Sequence, residues 1–342
     1  MKLSHPHFLR YAAAAAMLIL PSALTLGAAR AQDKTYIMKI TLPAVNDPSN
    51  LFAKNYAAAL ERDTGGRIKA EIYTASQLGA IPRQIEGTQF GAIQCALIPP
   101  EFFVGVDERF EVMAAPGLVD SVEHAHRLTL DPQVLKLILG LGADKGLHGA
   151  ALFLNGMSSV AATKAIRDIS DFKGKKIRTL ASKFQTEPFN RLGATAVVLT
   201  LGDVLPALQQ GAIDGTIGSI VILTPMHFQE AAKFATETGQ PPVFVAVEIS
   251  KKWYDSLPAD LQKIVDDDAA KESVALHPHM VELYNNARKG WTDAGGELIS
   301  LPPAEQATLL KTFSKAGSDV ASANPALSEA YKIVAAAAER TR

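Results

Sequence analysis

Alternation between apolar and polar positions begins at residue 36. Tyr36, Met38, Ile40 and Leu42 fall on one face of an extended segment, which predicts a half-buried strand over 36–42. The period then changes. Asp47-Pro48 offers an N-cap followed by proline at the first helical position. Phe52, Tyr56, Ala59 and Leu60 make a helical stripe, which Gly65-Gly66 ends. Ile68, Ala70 and Ile72 alternate again as a second strand. Residues 260–291 carry a long helical pattern, with Pro278 predicting a kink or break inside it. Strand and helix patterns alternate along the chain, the signature of an α/β fold. No low-complexity linker divides the chain, so two lobes would have to be joined by several crossings.

One stretch recurs. Gln89-Phe90-Gly91-Ala92-Ile93-Gln94-Cys95-Ala96-Leu97-Ile98 resembles Gln209-Gln210-Gly211-Ala212-Ile213-Asp214-Gly215-Thr216-Ile217-Gly218. Upstream of each lie a strand pattern, a Leu-Gly pair (Leu78-Gly79, Leu201-Gly202) and a helix pattern holding a proline (Pro82, Pro206). A match this short also arises by chance within an α/β pattern. Read as a repeat, it predicts two similar α/β lobes facing each other. Ligands of open α/β sheets sit beyond the carboxyl ends of the strands. The loops at Ile98-Pro99-Pro100 and Gly218-Ser219-Ile220 would then share a cleft.

Charge and composition narrow the function. Length, 342 residues, is enough for about two domains. The balance of 34 basic against 35 acidic residues argues against a nucleic-acid binder built on a basic face. The single cysteine, Cys95, excludes a disulfide framework and any multi-cysteine metal site. At the amino end, Lys2 and Arg10 precede an apolar run from Tyr11 to Leu26, broken by Pro21, and Ala29-Arg30-Ala31 follows. That order predicts a signal peptide over residues 1–31, cut after Ala31, and hence a periplasmic protein. The alternative, a membrane anchor, has an apolar run short of the roughly 20 residues needed to span. Cleavage removes three basic residues and no acid, leaving 31 against 35 and a net charge of -4.

Catalytic and metal patterns are weak. His124 and His126 stand two apart on a helix pattern and do not share a face, while His277 and His279 flank Pro278 with no cysteine or carboxylate at ligand spacing. No nucleophile elbow, zinc-protease helix motif or phosphate loop is present in the sequence. The expectation is a protein that is not an enzyme and uses no cofactor or metal.

The run Asp171-Phe172-Lys173-Gly174-Lys175-Lys176-Ile177-Arg178 resembles the solute-binding subunits of tripartite ATP-independent periplasmic (TRAP) transporters, the DctP family. The resemblance extends over about 36–331. It includes Ser76-Gln77-Leu78-Gly79, Glu123-His124-Ala125-His126, Ala207-Leu208-Gln209-Gln210-Gly211-Ala212-Ile213-Asp214-Gly215 and Leu257-Pro258-Ala259-Asp260-Leu261-Gln262-Lys263. It implies a two-lobe, Venus-flytrap α/β fold with a hinge and a long kinked helix bridging the lobes. It also implies a small organic acid in the closed cleft, and delivery to a small and a large membrane subunit driven by an ion gradient. The expected lobes are 33–154 with about 244–283, and 155–243 with about 284–342.

By the resemblance, Arg178 binds the ligand carboxylate. A guanidinium is planar and permanently charged and meets a carboxylate with two parallel hydrogen bonds. Read without the resemblance, Arg178 is one charge of a solvated run with Lys173, Lys175 and Lys176. Several positions depart from the family pattern. Relatives that bind sialic acid or dicarboxylates often carry a second arginine shortly after Asn-Gly; here Asn155-Gly156 is followed by Ser158 at that position. Gly218 stands where an asparagine is common, Leu201 where an aromatic is common, and Pro99 where some relatives have an acid. One strong anchor and a less polar pocket predict a monocarboxylate rather than a dicarboxylate, since a second buried, unpaired charge would cost about 3–5 kcal/mol. Further candidate ligand-binding residues are Asn155, Ser158, Ser219, Phe184 and Asn46, with Asp47, Phe102 and Phe153 behind them. Two other readings stay open: a ligand-sensing periplasmic adaptor and an exported α/β enzyme.

Overall fold

A computed structural model describes residues 34–342; the expected signal peptide lies outside them. The chain opens with β1 (Tyr36–Thr41), α1 (Pro48–Asp63), β2 (Ile68–Tyr73), α2 (Ile81–Phe90) and β3 (Cys95–Ile98). Two short helices, α3 (Val122–Thr129) and α4 (Pro132–Ile138), lead to β4 (Leu147–Gly156), which passes through Met157 into β5 (Ser158–Ala162). Next come β6 (Lys176–Thr179), α5 (Lys183–Arg191), β7 (Thr195–Val198), α6 (Leu201–Gln209) and β8 (Gly215–Ser219). They are followed by α7 (Ile220–Leu223), β9 (Phe234–Thr236), β10 (Val243–Ser250) and α8 (Lys251–Tyr254). The chain closes with α9 (Ala259–Ala275), α10 (His277–Asp293), β11 (Glu297–Ile299), α11 (Pro303–Ser322) and α12 (Pro325–Thr341).

The local signals act as the physical chemistry requires. The Asp47 carboxylate accepts from the Asn50 N–H at the start of α1, with Pro48 in the first turn. Gly91 and Gly211, the glycines of the recurring stretch, follow α2 and α6 with φ of 87° and 68°. A side chain at either would be strained, so both helices end where the repeat places glycine.

The strands form two sheets, ordered β2-β1-β3-β10-β4 and β11-β9-β5-β8-β6-β7. The repeat is real at the level of register. In the first sheet β1 runs parallel to β3, pairing Ile40 with Cys95 and Thr41 with Ala96. In the second, β6 runs parallel to β8, pairing Ile177 with Gly215 and Arg178 with Thr216. An antiparallel strand then lies beside the third strand of each set, β10 beside β3 and β5 beside β8. These two strands adjoin the crossings: β4 runs straight into β5, and β9 leads to β10.

Both sheets are covered on both faces, which is why the central strands β3, β4 and β10 read as nearly continuous apolar runs. Phe52, Tyr56 and Leu261 fill one face of the first sheet, and Phe103, Phe110 and Val334 the other. Trp291 and Phe228 belong to one core of the second, Phe172, Phe189 and Phe313 to the opposite one. The long helical pattern becomes α9 and α10, broken at Leu276 with Pro278 in the first turn of the second helix. α9 packs on α1 and β4, whereas α10 packs on α7 and β11, so the broken helix bridges the lobes. α11 packs on α5, and α12 returns to α3 and α4.

Candidate functional site

A cavity lies where the two sheets face each other. Pro43, Ala44 and Asp47, from the loop after β1, contribute to its wall, as do Leu97 and Pro99 at the end of β3, Asn155 on β4, and Val243 and Val245 on β10. The second lobe contributes Arg178 and Leu180, Leu201, Ile217 and Gly218 at the end of β8, and Ile222 and Leu223. The predicted shared cleft at the carboxyl ends of β3 and β8 is thus present. About 40 Å³ is open to water centres, room for a few waters.

Arg178 sits on β6, an interior strand between β7 and β8, and is 3% exposed. Two carbonyls orient its guanidinium: Nε donates to Leu199 O at 2.9 Å and Nη1 to Ile217 O at 3.4 Å. No carboxylate lies within ion-pairing distance of it among the described residues. A guanidinium has five N–H donors, so most of this one's capacity is unused. Burial pulls its pKa down to about 10, opposed by the charges of Glu101 and Asp203. The group therefore remains a cation at neutral pH in a wall that is otherwise mostly apolar. Its neighbours Lys173, Lys175 and Lys176 are not in that wall. Strand pairing separates Arg178 from a basic run that the sequence alone could not divide.

The other polar end belongs to the first lobe. Asn155 Nδ2 donates to Asp47 Oδ2 at 2.9 Å and to Ser49 Oγ at 2.7 Å. Burial raises the Asp47 pKa, and hydrogen bonds from Asn155, Asn50 and Ser49 oppose the rise. Asp47 is therefore more than a helix cap: one oxygen caps α1 and the other holds Asn155. Asn155 Oδ1 is buried with no hydrogen-bond partner among the described residues.

Of the candidates, Arg178, Asn155, Gly218, Pro99 and Leu201 meet at the cavity, together with Asp47 and Phe102. Ser158, Ser219, Phe184 and Asn46 are not part of its wall. Ser158 Oγ donates to Pro241 O at 2.5 Å and so ties the two crossings together. Ser219 Oγ is buried against the backbone at Gly156. Phe184 packs among Ala114, Ala115, Ala321 and Leu327, a core position. Phe153 stacks on Phe52 at 4.8 Å in the first lobe's core. Asn46 turns the chain at a φ of 50°, which places Asp47 rather than itself at the cavity. Neither Arg83, paired with Glu86 at the surface, nor Lys183, at the start of α5, reaches the wall as a second cation.

A buried acid whose charge acts on Arg178 escaped the sequence reading. Glu101 follows β3, is fully buried, and accepts from Gln185 Nε2 of the second lobe at 3.2 Å. Burial pushes its pKa up to about 7. A lone acid inside Pro99-Pro100-Glu101-Phe102-Phe103-Val104 was the available signal. The histidines serve elsewhere: His124 bonds Asp120 and the Ala338 carbonyl, and His126 stacks on His277 at 3.8 Å.

Comparison with known proteins shows the family. The sequence model of bacterial extracellular solute-binding protein family 7, DctP, matches residues 41–322. The C4-dicarboxylate-binding periplasmic protein DctP of Rhodobacter capsulatus is 28% identical over 256 residues, 74% of this chain and 76% of the relative. The 2,3-diketo-L-gulonate-binding periplasmic protein of Escherichia coli is 26% identical over 255 residues, 74% and 77% of the two chains. A TRAP periplasmic solute-binding protein of Desulfovibrio salexigens, solved with orotic acid, superposes with a TM-score of 0.85 at 25% identity, covering 90% of this chain and all of the other.

Proposed function

The chain belongs to bacterial extracellular solute-binding protein family 7, the solute-binding proteins of TRAP transporters, and from that premise we propose that it captures a small monocarboxylate in the periplasm for uptake. The observation that carries the reading is Arg178: a buried cation with unused donors and no ion-pair partner, in the wall of a small, largely apolar cavity. Among the described residues it is the only cation in that wall. A carboxylate meets the fork of the guanidinium with two charge-assisted bonds, strong in so dry a setting. A second carboxylate would meet apolar side chains or Asp47. Its relatives include a C4-dicarboxylate binder and an orotate complex, so both classes exist near this chain; the single cation favours the monocarboxylate.

The mechanism follows from the wall's composition. Asp47, Pro99 and Asn155 come from the first lobe, Arg178, Leu201 and Gly218 from the second. An acid can touch both sets only when the lobes are shut, so binding shifts the population toward the closed form. We take the lobes to be about 34–156 with 243–276, and 158–236 with 277–322. By its packing on α3 and α4, α12 is counted with the first. Closed protein would then dock on the small and large membrane subunits. Residues 1–31, read as a signal peptide, account for export.

The test is calorimetry of residues 32–342 against short mono- and dicarboxylates, beside Arg178→Ala. Monocarboxylates should bind the wild type, and the variant should lose about thirtyfold or more in affinity, consistent with about 2–5 kcal/mol for truncating one partner of a buried charge pair. Equal affinity in the variant, or binding of dicarboxylates alone, overturns the single-anchor reading.

A further inference from the structure

The polar cluster at the first-lobe end of the cavity holds an acceptor to which none of the described residues donates. Asn155 lies on β4 one residue before Gly156, which ends the strand, and is 1% exposed. Its two N–H groups are both engaged, one by Asp47 Oδ2 and one by Ser49 Oγ. A carboxylate and a hydroxyl oxygen can take those two hydrogens only if the amide nitrogen faces them, so the orientation of the side chain is determined. Its oxygen, Oδ1, is then left buried without a partner in a residue that lines the cavity. A buried carbonyl oxygen left this way costs free energy unless something fills the place.

We propose that Asn155 Oδ1 is a specificity determinant that accepts a hydrogen bond from a hydroxyl group on the bound acid, so that the ligand is a short hydroxy-monocarboxylate. The inference rests on the acid-binding reading above and deepens it. The alternatives fit the same atom less well. A keto oxygen would set one acceptor against another. An unsubstituted acid would leave Oδ1 stripped of water and unpaired. An ammonium brings three donors and a charge that would have to be dehydrated, and Asp47, the carboxylate of the wall, already accepts from Asn50 and Asn155. A hydroxyl brings one donor to one acceptor. The small cavity limits the rest of the molecule to a short apolar body. Arg178 and Asn155 then divide the work: the second lobe reads the carboxylate, the first reads the hydroxyl. Because each holds one end, a hydroxy acid also ties the closed lobes together.

Calorimetric titration with matched acids tests this. Lactate, pyruvate, alanine and propionate share one carbon skeleton, and 3-hydroxybutyrate with butyrate moves the hydroxyl one carbon further. In at least one matched pair the hydroxy acid is expected to bind about tenfold more tightly than the unsubstituted acid, the usual worth of one buried hydrogen bond. In Asn155→Leu, confirmed as folded by circular dichroism, that ratio should fall toward one. If the variant does not fold, the wild-type series decides by itself. Acids that bind with no preference for the hydroxyl, or a tighter complex with pyruvate or alanine than with lactate, overturn the inference and leave the acid reading standing. A ratio that persists in Asn155→Leu overturns the role of Asn155. Failure of every acid to bind overturns both.

Discussion

Thr41 and Arg178 occupy the same place in two copies of one strand frame. Each follows an isoleucine, Ile40 or Ile177, whose partner on the parallel third strand is Cys95 or Gly215, and each pairs with the next residue there, Ala96 or Thr216. Both are buried. Their surroundings part at the side chain. Thr41 Oγ1 donates to Gln84 Oε1 at 3.0 Å, and Gln84 Nε2 in turn donates to the Gly79 carbonyl, so the first lobe closes its polar groups on itself. Arg178 is held by two carbonyls and has no counter-charge within ion-pairing distance among the described residues. A satisfied polar group stabilises a lobe; a buried cation with donors to spare leaves a place for a ligand. The repeat supplies the frame, and a different residue at one place in it turns a structural position into the proposed binding position.

The largest expected effect tests what makes that cation tolerable. Glu101, from the first lobe, is one of two acids whose charge acts on Arg178. Its folded pKa stands at about 7 against an ordinary 4.5. Between those values the folded protein holds a proton that the unfolded chain has released. The contribution is therefore full below about pH 4.5, is lost as pH rises through about 7, and is on the order of 3 kcal/mol across that window. Glu101→Gln should remove this decline. Urea denaturation of wild type and variant at pH 4.5 and pH 8 checks it; parallel losses in the two proteins would mean Glu101 does not titrate in this way.

A smaller effect of opposite sign is expected at Arg178 itself. Without ligand the buried charge costs desolvation that nothing fully offsets. Arg178→Met should therefore raise the stability of the ligand-free protein by about 1–2 kcal/mol while removing acid binding. A less stable ligand-free variant would mean the guanidinium is a structural group after all. Least affected should be Thr41→Val, which keeps the shape and leaves Gln84 Oε1 without its donor. A loss of about 1 kcal/mol with unchanged ligand affinity is expected, and a change in affinity would break the contrast between the two positions.

Much of the frame was legible in the chain. Strand alternation at Tyr36 to Leu42, the Asp47-Pro48 cap, the glycine ends of two helices and the break near Pro278 are local events, settled by residues a few positions apart. The recurring stretch carried the lobe pattern, because β3 and β8 and the turns before them face the same demands. Candidate site residues fared unevenly. Pro99, Leu201 and Gly218 lie at strand or helix ends that topology aims at the cleft. Phe184 and Ser158 look the same on paper, yet one packs against the returning α12 and the other bonds Pro241 across the crossing. Those partners are remote in sequence, and no local pattern names them.

The sequence by itself determined the alternation of elements, their caps and ends, the two-lobe repeat and the motif that contains Arg178. Those follow from short-range sterics and from the period of apolar residues. Only the tertiary structure decided which charge of Lys173, Lys175, Lys176 and Arg178 is buried. It also brought Asp47 and Ser49 from the loop and helix after β1 onto Asn155 of β4, and placed Glu101 against Gln185. Burial and hydrogen bonding depend on what the crossings bring near. A guanidinium in water and one in a dry cleft have the same letter and different chemistry.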